Sequence, residues 1–114
     1  MRVGIIGAGN IAQYAHLPGY QKVPGVQIVA ICDIVPERAK QVAAKWNVPQ
    51  VFTDYREMLK QPLDAVSICV PNCVHAEATI AALESGAHVL CEKPMALDAL
   101  EGEAMVAAAK RTGK

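Results

Sequence analysis

The sequence lacks the features that mark several common functional classes. Its 114 residues include 11 Lys+Arg and 11 Asp+Glu, so the formal net charge is zero, which excludes a nucleic-acid binder that relies on a basic surface. No apolar run reaches the ~18 residues of a membrane-spanning helix. The segment 1–6 predicts a first strand and not a signal peptide. We therefore expect a cytoplasmic protein with no nucleic-acid or membrane partner.

Cysteines are few, and their spacing does not form a metal or disulfide pattern. Cys32, Cys69, Cys73 and Cys91 contain no C-x-x-C pair, so we expect neither a disulfide framework nor a metal site. Hydrophobic residues make up 53% of the chain, too many for a disordered protein. The length fits one domain with one core.

Short apolar runs alternate with longer helical patterns along the chain. This alternation predicts an α/β fold, a doubly wound parallel sheet with helices on both faces. Strands are predicted at 2–6, 26–32, 51–53, 65–70 and 88–91. Helices are predicted at about 10–17, 36–46, 55–60, 74–85 and 98–112, the first ending or kinking at Pro18-Gly19. The expected strand order is 3-2-1-4-5.

The turn after the first strand carries a phosphate-binding pattern. Gly7-Ala8-Gly9-Asn10-Ile11-Ala12 fits G-x-G-x-x-G/A, in which Gly7 permits a tight turn, Gly9 lets a pyrophosphate approach the backbone, and Ala12 lets the helix pack against the strand. The helix N-terminus then offers N–H groups to the phosphates. Asp33 follows Ala12 by 21 residues, near the usual ~20. Together these features predict a dinucleotide-binding domain over 1–114.

Asp33 and Arg38 bear on the choice between NAD and NADP. Asp33 should accept hydrogen bonds from the adenosine ribose and repel a 2′-phosphate, which favours NAD. Arg38, one turn into the next helix, could stack on adenine or pair with a 2′-phosphate, and so leaves NADP open. The alternative is that Arg38 is an ordinary exposed charge on that helix.

Two further segments follow the fourth and fifth strands, where ligands bind in such sheets. In the first, Pro71 stiffens the strand exit, Asn72 is expected to cap the next helix, and His75 is a candidate ligand contact. In the second, Glu92 could accept from a ribose hydroxyl, and Lys93 could polarise a substrate carbonyl and assist proton transfer.

These residues together resemble the Gfo/Idh/MocA oxidoreductases over essentially the whole chain. The Glu92-Lys93-Pro94 segment after a G-x-H-V-L-C-type strand is the most specific part. The resemblance implies an N-terminal Rossmann domain that binds NAD or NADP, with Lys93 contacting substrate and cofactor and with roles for Glu92 and Asn72. The other matching segments are 7–12, 16–18, 32–33, 36–39, 71–75 and 86–91.

The chain departs from this family in length. Members are about three times as long, and their second domain supplies the substrate pocket with an aspartate and a histidine for proton transfer. His16, His75 and His88 all precede Glu92 and do not match that histidine. We therefore expect the N-terminal cofactor domain alone, ending before a sixth strand. It should bind the adenine half of the cofactor and show no turnover. It should also self-associate, through the open edge of strand five or by exchange of the last helix, in keeping with a homo-oligomer.

The function expected for the parent protein is hydride transfer between nicotinamide and a sugar, polyol or related carbonyl substrate. One alternative is a regulatory module that senses the dinucleotide without catalysis, although an intact Lys93 argues against it. Another is a glycosidase-like relative that uses NAD for transient oxidation. The residues present do not specify the substrate or the reaction direction.

Overall fold

Five parallel strands form the centre of the computed structural model, which describes residues 1–114. They are β1 (Arg2–Ile6), β2 (Gln27–Cys32), β3 (Gln50–Phe52), β4 (Ala65–Ile68) and β5 (His88–Cys91). Their order is β3-β2-β1-β4-β5, and every neighbouring pair is parallel. The predicted doubly wound α/β fold and its strand order are confirmed.

Helices connect the strands and cover both faces of the sheet. They are α1 (Leu17–Gln21), α2 (Pro36–Trp46), α3 (Tyr55–Met58), α4 (His75–Glu84) and α5 (Ala99–Thr112). A π-helical turn, Ala12–His16, leads into α1, and a 3-10 turn, Asn72–Val74, leads into α4. None of these helices combines the length and the apolar character that crossing a membrane requires.

Strand β1 divides the core into two layers. Val3 and Ile5 belong to one buried cluster with Leu17 and Val42 of the neighbouring helices. Ile6 belongs to a second cluster on the other face. Alternate residues of a strand point to opposite faces, so a sheet covered on both sides needs apolar residues throughout. This requirement explains why β1 has no polar side chain from Val3 to Ile6, the part that is buried.

The prediction that the first helix ends or kinks at Pro18-Gly19 is wrong. The chain passes from the π-helical turn directly into α1, which includes both residues and ends at Gln21. Pro18 lies in the first turn of α1, directly after the π-helical turn, and it cannot donate an N–H to the residues of that turn. The irregularity lies before the proline, where the N–H of Leu17 donates to the Ala12 carbonyl.

The ends of the last two helices show one correct and one incorrect prediction. Asp98 caps α5 by accepting from the N–H of Glu101 at 2.9 Å, as the capping-box spacing predicts. Asn72 does not cap α4, and its Oδ1 is buried without a hydrogen-bond partner. The 3-10 turn accounts for this difference, because it places Val74 and not Asn72 at the N-cap.

Candidate functional site

Gly7 is required by the packing of the turn after β1. Its φ is +96°, and a Cβ built there would lie 2.3 Å from the carbonyl oxygen of Cys69. Its N–H also donates to the carbonyl of Cys32 at 2.8 Å. The turn is therefore pressed between the ends of β2 and β4, with no room for a side chain.

Gly9 has a different environment. Its φ is not in the left-handed region, and a Cβ added there would meet no atom within 4 Å. Neither backbone conformation nor packing requires glycine at this position. The open space leaves the backbone accessible, as a phosphate-binding turn needs. Ala12, three residues later, is completely buried in the core, in agreement with its predicted packing role.

A cleft of about 770 Å³ opens beside this turn. Several of the predicted cofactor residues line it: Gly7, Gly9, Asn10, Ile11, Asp33, Arg38 and Pro71. The buried thiols of Cys32 and Cys69 also line it, and burial raises the pKa of each to about 12. Both thiols are therefore neutral at pH 7.

The opposite wall of the cleft was missed by the sequence analysis. Thr53, Asp54, Tyr55 and Arg56 line the cleft beyond the end of β3. The guanidinium of Arg56 lies 4.7 Å from the centre of the Tyr55 ring. Their position in the sequence could have identified them, since they follow a strand whose carboxyl end faces the same crevice.

The carboxylate of Asp33 is buried and fully engaged. One oxygen accepts from the N–H of Ala8 at 2.9 Å and from Arg38 Nε at 2.8 Å. The other accepts from the N–H of Val35 at 2.9 Å and from Arg38 Nη2 at 2.7 Å. Asp33 therefore fixes the glycine turn and is also covered by Arg38.

The ionisation of Asp33 follows from these contacts. Burial acts most strongly on its pKa and raises it, but the hydrogen bonds from Arg38, Val35 and Ala8 together outweigh burial. The net result is a pKa below the ordinary value of 3.8. The carboxylate is therefore ionised at neutral pH. It can accept a hydrogen bond from a sugar hydroxyl if the Arg38 side chain moves away.

Glu92 and Lys93 line a second cleft, of about 470 Å³, beside the first helix. Glu92 Oε1 lies 2.8 Å from His16 Nε2, and Glu92 Oε2 accepts from the backbone N–H of Lys93 at 3.1 Å. The hydrogen bond from His16 is the largest influence on the pKa of Glu92 and lowers it. The Lys93 side chain is exposed.

Two contacts in this second region were not anticipated. His16 Nδ1 lies 3.2 Å from Ser67 Oγ, and the Tyr20 hydroxyl lies 2.7 Å from the same oxygen. Ser67 is completely buried in β4. The sequence signal was a hydroxyl residue inside a central strand that should otherwise be apolar.

His75 lies in neither cleft. Its side chain is almost fully buried, Nδ1 lies 2.8 Å from the carbonyl oxygen of Pro94, and Nε2 lies 2.9 Å from that of Val70. Asn72 is also absent from the lining of both clefts. The structure thus separates the predicted site residues into the large cleft, the second cleft and the strand exits between them.

Comparison with known proteins gives consistent matches across the chain. A family model described as an oxidoreductase family with an NAD-binding Rossmann fold matches residues 1–114. The D-glucoside 3-dehydrogenase of Escherichia coli is 40% identical over all of this chain, which covers 33% of that protein. The scyllo-inositol 2-dehydrogenase (NADP(+)) IolU of Bacillus subtilis is 38% identical over 99% of this chain, which covers 34% of that protein.

A solved structure agrees with these sequence relatives. The WlbA dehydrogenase of Chromobactrium violaceum, crystallised with NADH and UDP-GlcNAcA, superposes with a TM-score of 0.94 and 30% identity. That match covers 100% of this chain and 33% of the other. The chain thus spans about a third of the length of the relatives it matches.

Proposed function

Because this chain belongs to the Gfo/Idh/MocA oxidoreductase family, as its NAD-binding Rossmann domain, we propose that it holds the cofactor of a sugar or polyol oxidoreductase. Its parent would transfer hydride between nicotinamide and a sugar, polyol or related carbonyl carbon. The observation that carries the proposal is Gly9, whose open backbone faces a cleft that also contains Asp33. The relatives named as acting on glucosides and inositol support the substrate class.

The residues of the large cleft fit a dinucleotide. Gly7, Gly9, Asn10 and Ile11 would hold the pyrophosphate, because the turn presents its backbone and a helix N-terminus to the cleft. Ala12 supports them from the core. Pro71 and Asn72 would border the cofactor where β4 ends. His75 would act on the cofactor indirectly, because it contacts the carbonyls of Val70 and Pro94 in the two loops that border the site.

Asp33 and Arg38 together would select the cofactor. The ionised Asp33 favours the free ribose hydroxyls of NAD, whereas Arg38 supplies a cation suited to a 2′-phosphate. We propose a preference for NAD, because the backbone N–H groups of Ala8 and Val35 keep Asp33 in the cleft whether or not Arg38 remains paired. The NADP named for one relative and the NADH bound to another show that this family uses both.

Lys93 is the proposed catalytic residue. When bound, the nicotinamide supplies or accepts the hydride. The exposed ammonium of Lys93 would donate to the substrate oxygen and stabilise the charge that develops there. The ionised Glu92 beside it would accept from a ribose hydroxyl.

The rest of the parent protein is also a matter of proposal. A second domain would supply the substrate pocket, since the relatives are about three times as long as the matched segment. A homo-oligomer is proposed because the β5 edge of the sheet is flanked by exposed apolar side chains. A cytoplasmic location is proposed because all four cysteines are free thiols, the state that a reducing compartment maintains.

Calorimetric titration of this chain with NAD⁺ and with NADP⁺ tests the proposal. We expect NAD⁺ to bind more tightly. Gly9→Val should reduce the affinity at least about tenfold, since its side chain would fill the approach to the backbone. The melting temperature should remain near that of the wild type, because the space around Gly9 is empty.

Gly102→Ala provides the matched control. Gly102, in α5, also has no atom within 4 Å of an added Cβ, but it lines neither cleft. This variant should bind NAD⁺ normally. Equal binding by wild type and Gly9→Val, or no binding of either dinucleotide by the folded wild type, would contradict the proposed function.

A further inference from the structure

The segment Glu92-Lys93-Pro94 leaves β5 between two histidines from other parts of the chain. His16 contacts the side chain of its first residue, and His75 contacts the carbonyl of its last. We propose that His16 and His75 are positioning residues that hold Lys93 at the nicotinamide end of the site. The inference rests on the proposed function, in that it assigns Lys93 to that end.

His16 is the central member of a continuous hydrogen-bonded chain. The chain runs from Tyr20 to Ser67, from Ser67 to His16, and from His16 to Glu92, with separations of 2.7, 3.2 and 2.8 Å. An ionised Glu92 is only an acceptor, so His16 Nε2 carries a proton and donates it. In the neutral ring, Nδ1 then accepts from Ser67 Oγ, which accepts from Tyr20. With the protons placed in this way, each of the three contacts has one donor and one acceptor.

Ser67 indicates that this series of hydrogen bonds does more than stabilise the fold. Its hydroxyl is completely buried in a central parallel strand, where an apolar side chain would avoid the cost of burying a polar group. Tyr20 and His16 are the groups that satisfy it. The buried hydroxyl of Ser67 thus orients the His16 ring, and His16 in turn holds the side chain of Glu92.

His75 joins the exits of two neighbouring strands. Val70 follows β4 and Pro94 follows β5, and the two ring nitrogens lie 2.9 and 2.8 Å from their carbonyl oxygens. The nitrogen that carries the proton donates to the carbonyl that it faces. The ring, 2% exposed, is packed between the two loops on which Asn72 and Lys93 lie and restrains the distance between them.

The other ionisable groups near Glu92 do not replace His16. Cys69 and Cys91 lie close enough for the charge of Glu92 to raise the pKa of both thiols, although burial is the larger cause. Both are neutral. Lys93 contributes its backbone N–H, while its exposed side chain stays available to a ligand.

The first test follows Glu92 in the cofactor-free chain by carbon-13 NMR. His16→Leu removes the donor, so the pKa of Glu92 should rise towards its ordinary value. His16→Gln retains an N–H donor and should keep the pKa lowered. His88→Leu is the control, because His88 is exposed on β5 and makes none of these contacts. An unchanged Glu92 titration in folded His16→Leu would overturn the inference for His16.

The second test separates the two halves of the cofactor. ADP carries the adenine half without the second ribose and the nicotinamide. His16→Leu and His75→Leu should weaken NADH binding about tenfold, the effect of losing ~1.4 kcal/mol, and leave ADP binding unchanged. Equal weakening of both ligands would indicate a structural role only and overturn the proposal.

Nitrogen-15 relaxation of the wild type tests His75 even if its variants do not fold. The Lys93 amide should have an order parameter of about 0.85, like a rigid strand, and a value below about 0.6 would overturn the proposal. These outcomes are distinct from failure of the proposed function. Wild type that binds neither NADH nor ADP would contradict dinucleotide binding, whereas the Glu92 titration and the Lys93 relaxation would still decide the positioning roles.

Discussion

At the scale of single residues, the carboxylate of Asp33 and the guanidinium of Arg38 close over the large cleft. Two backbone N–H groups hold the carboxylate from below, and Arg38 supplies two more donors from the solvent side. A ribose hydroxyl would compete with Arg38, whose side chain is 45% exposed. In the proposed binding mode, the dinucleotide would therefore have to rearrange an ion pair.

The two members of this pair should affect the cofactors in opposite directions. Asp33→Ala should weaken NAD⁺ binding about tenfold, through loss of hydrogen bonds from the ribose, and should relieve the repulsion of NADP⁺. Arg38→Met should weaken NADP⁺ binding and preserve or improve NAD⁺ binding, because Asp33 is uncovered. Calorimetric titration with each cofactor measures both ratios.

Lys40→Met is the matched control for Arg38→Met, because Lys40 is exposed on the same helix and does not line the large cleft. It should leave the ratio of NAD⁺ to NADP⁺ affinity unaltered. The assignment of Asp33 and Arg38 is wrong if neither substitution at these two positions changes that ratio.

Sequence alone predicted which residues lie in the cleft better than it predicted their contacts. The glycine spacing and the position of Asp33 at a strand end place both at the crevice, because topology fixes them there. Two of the four hydrogen bonds that Asp33 accepts depend on the rotamer of Arg38, which the spacing of residues in the sequence does not reveal. The His16–Glu92 contact joins residues 76 positions apart, and its formation depends on the exact course of the first helix.

At the scale of elements, helix boundaries were predictable where side chains determine them. Helix α2 begins at Pro36 and ends at Trp46 as predicted, with a proline in the first turn and Asn47 in the left-handed conformation beyond it. The 3-10 turn before α4 was not predictable from Asn72, whose residue type equally suits an N-cap. The π-helical turn also has no single-residue signature.

Helix α5 offers a test of capping. Its first turn is held by Asp98, which accepts from the N–H of Glu101, and by Glu101, which accepts from the N–H of Leu97 at 2.9 Å. Asp98→Ala should lower the free energy of unfolding by about 1 kcal/mol, the usual cost of losing an N-cap. Denaturant unfolding measures the change.

Glu103→Ala is the control for that experiment, because Glu103 is exposed in α5 and makes no capping contact. Its free energy of unfolding should stay within about 0.5 kcal/mol of the wild-type value. Equal stability of Asp98→Ala and wild type would show that the last helix does not depend on this cap.

At the scale of the whole molecule, the sheet has two edges of different character. β3 forms one edge and β5 the other, and β5 pairs only with β4. Leu90 on β5 is 54% exposed, and Leu97 and Leu100 beyond it are 58% and 76% exposed. An unpaired strand edge flanked by exposed apolar side chains is suited to pairing with a second copy.

We therefore expect this chain to self-associate with rising concentration, as light scattering or sedimentation velocity would show. Leu90→Lys should shift the equilibrium towards monomer, since a charged residue disfavours edge pairing. Val23→Lys is the control, because Val23 is 50% exposed and lies between α1 and β2. A monomer at every concentration tested would contradict the expectation.

The π-helical turn has a consequence for how this fold tolerates changes in chain length. Such a turn holds one residue more than an α-helical turn, and each residue of an α-helix advances about 100° around its axis. Deleting the exposed Tyr14 would leave the residue count of one α-helical turn, so the residues before and after the turn should keep their faces. The same deletion in a regular helix such as α2 would rotate every later residue by about 100°. The π-helical turn is thus a place where the gene can lose one codon without turning the helix against the sheet.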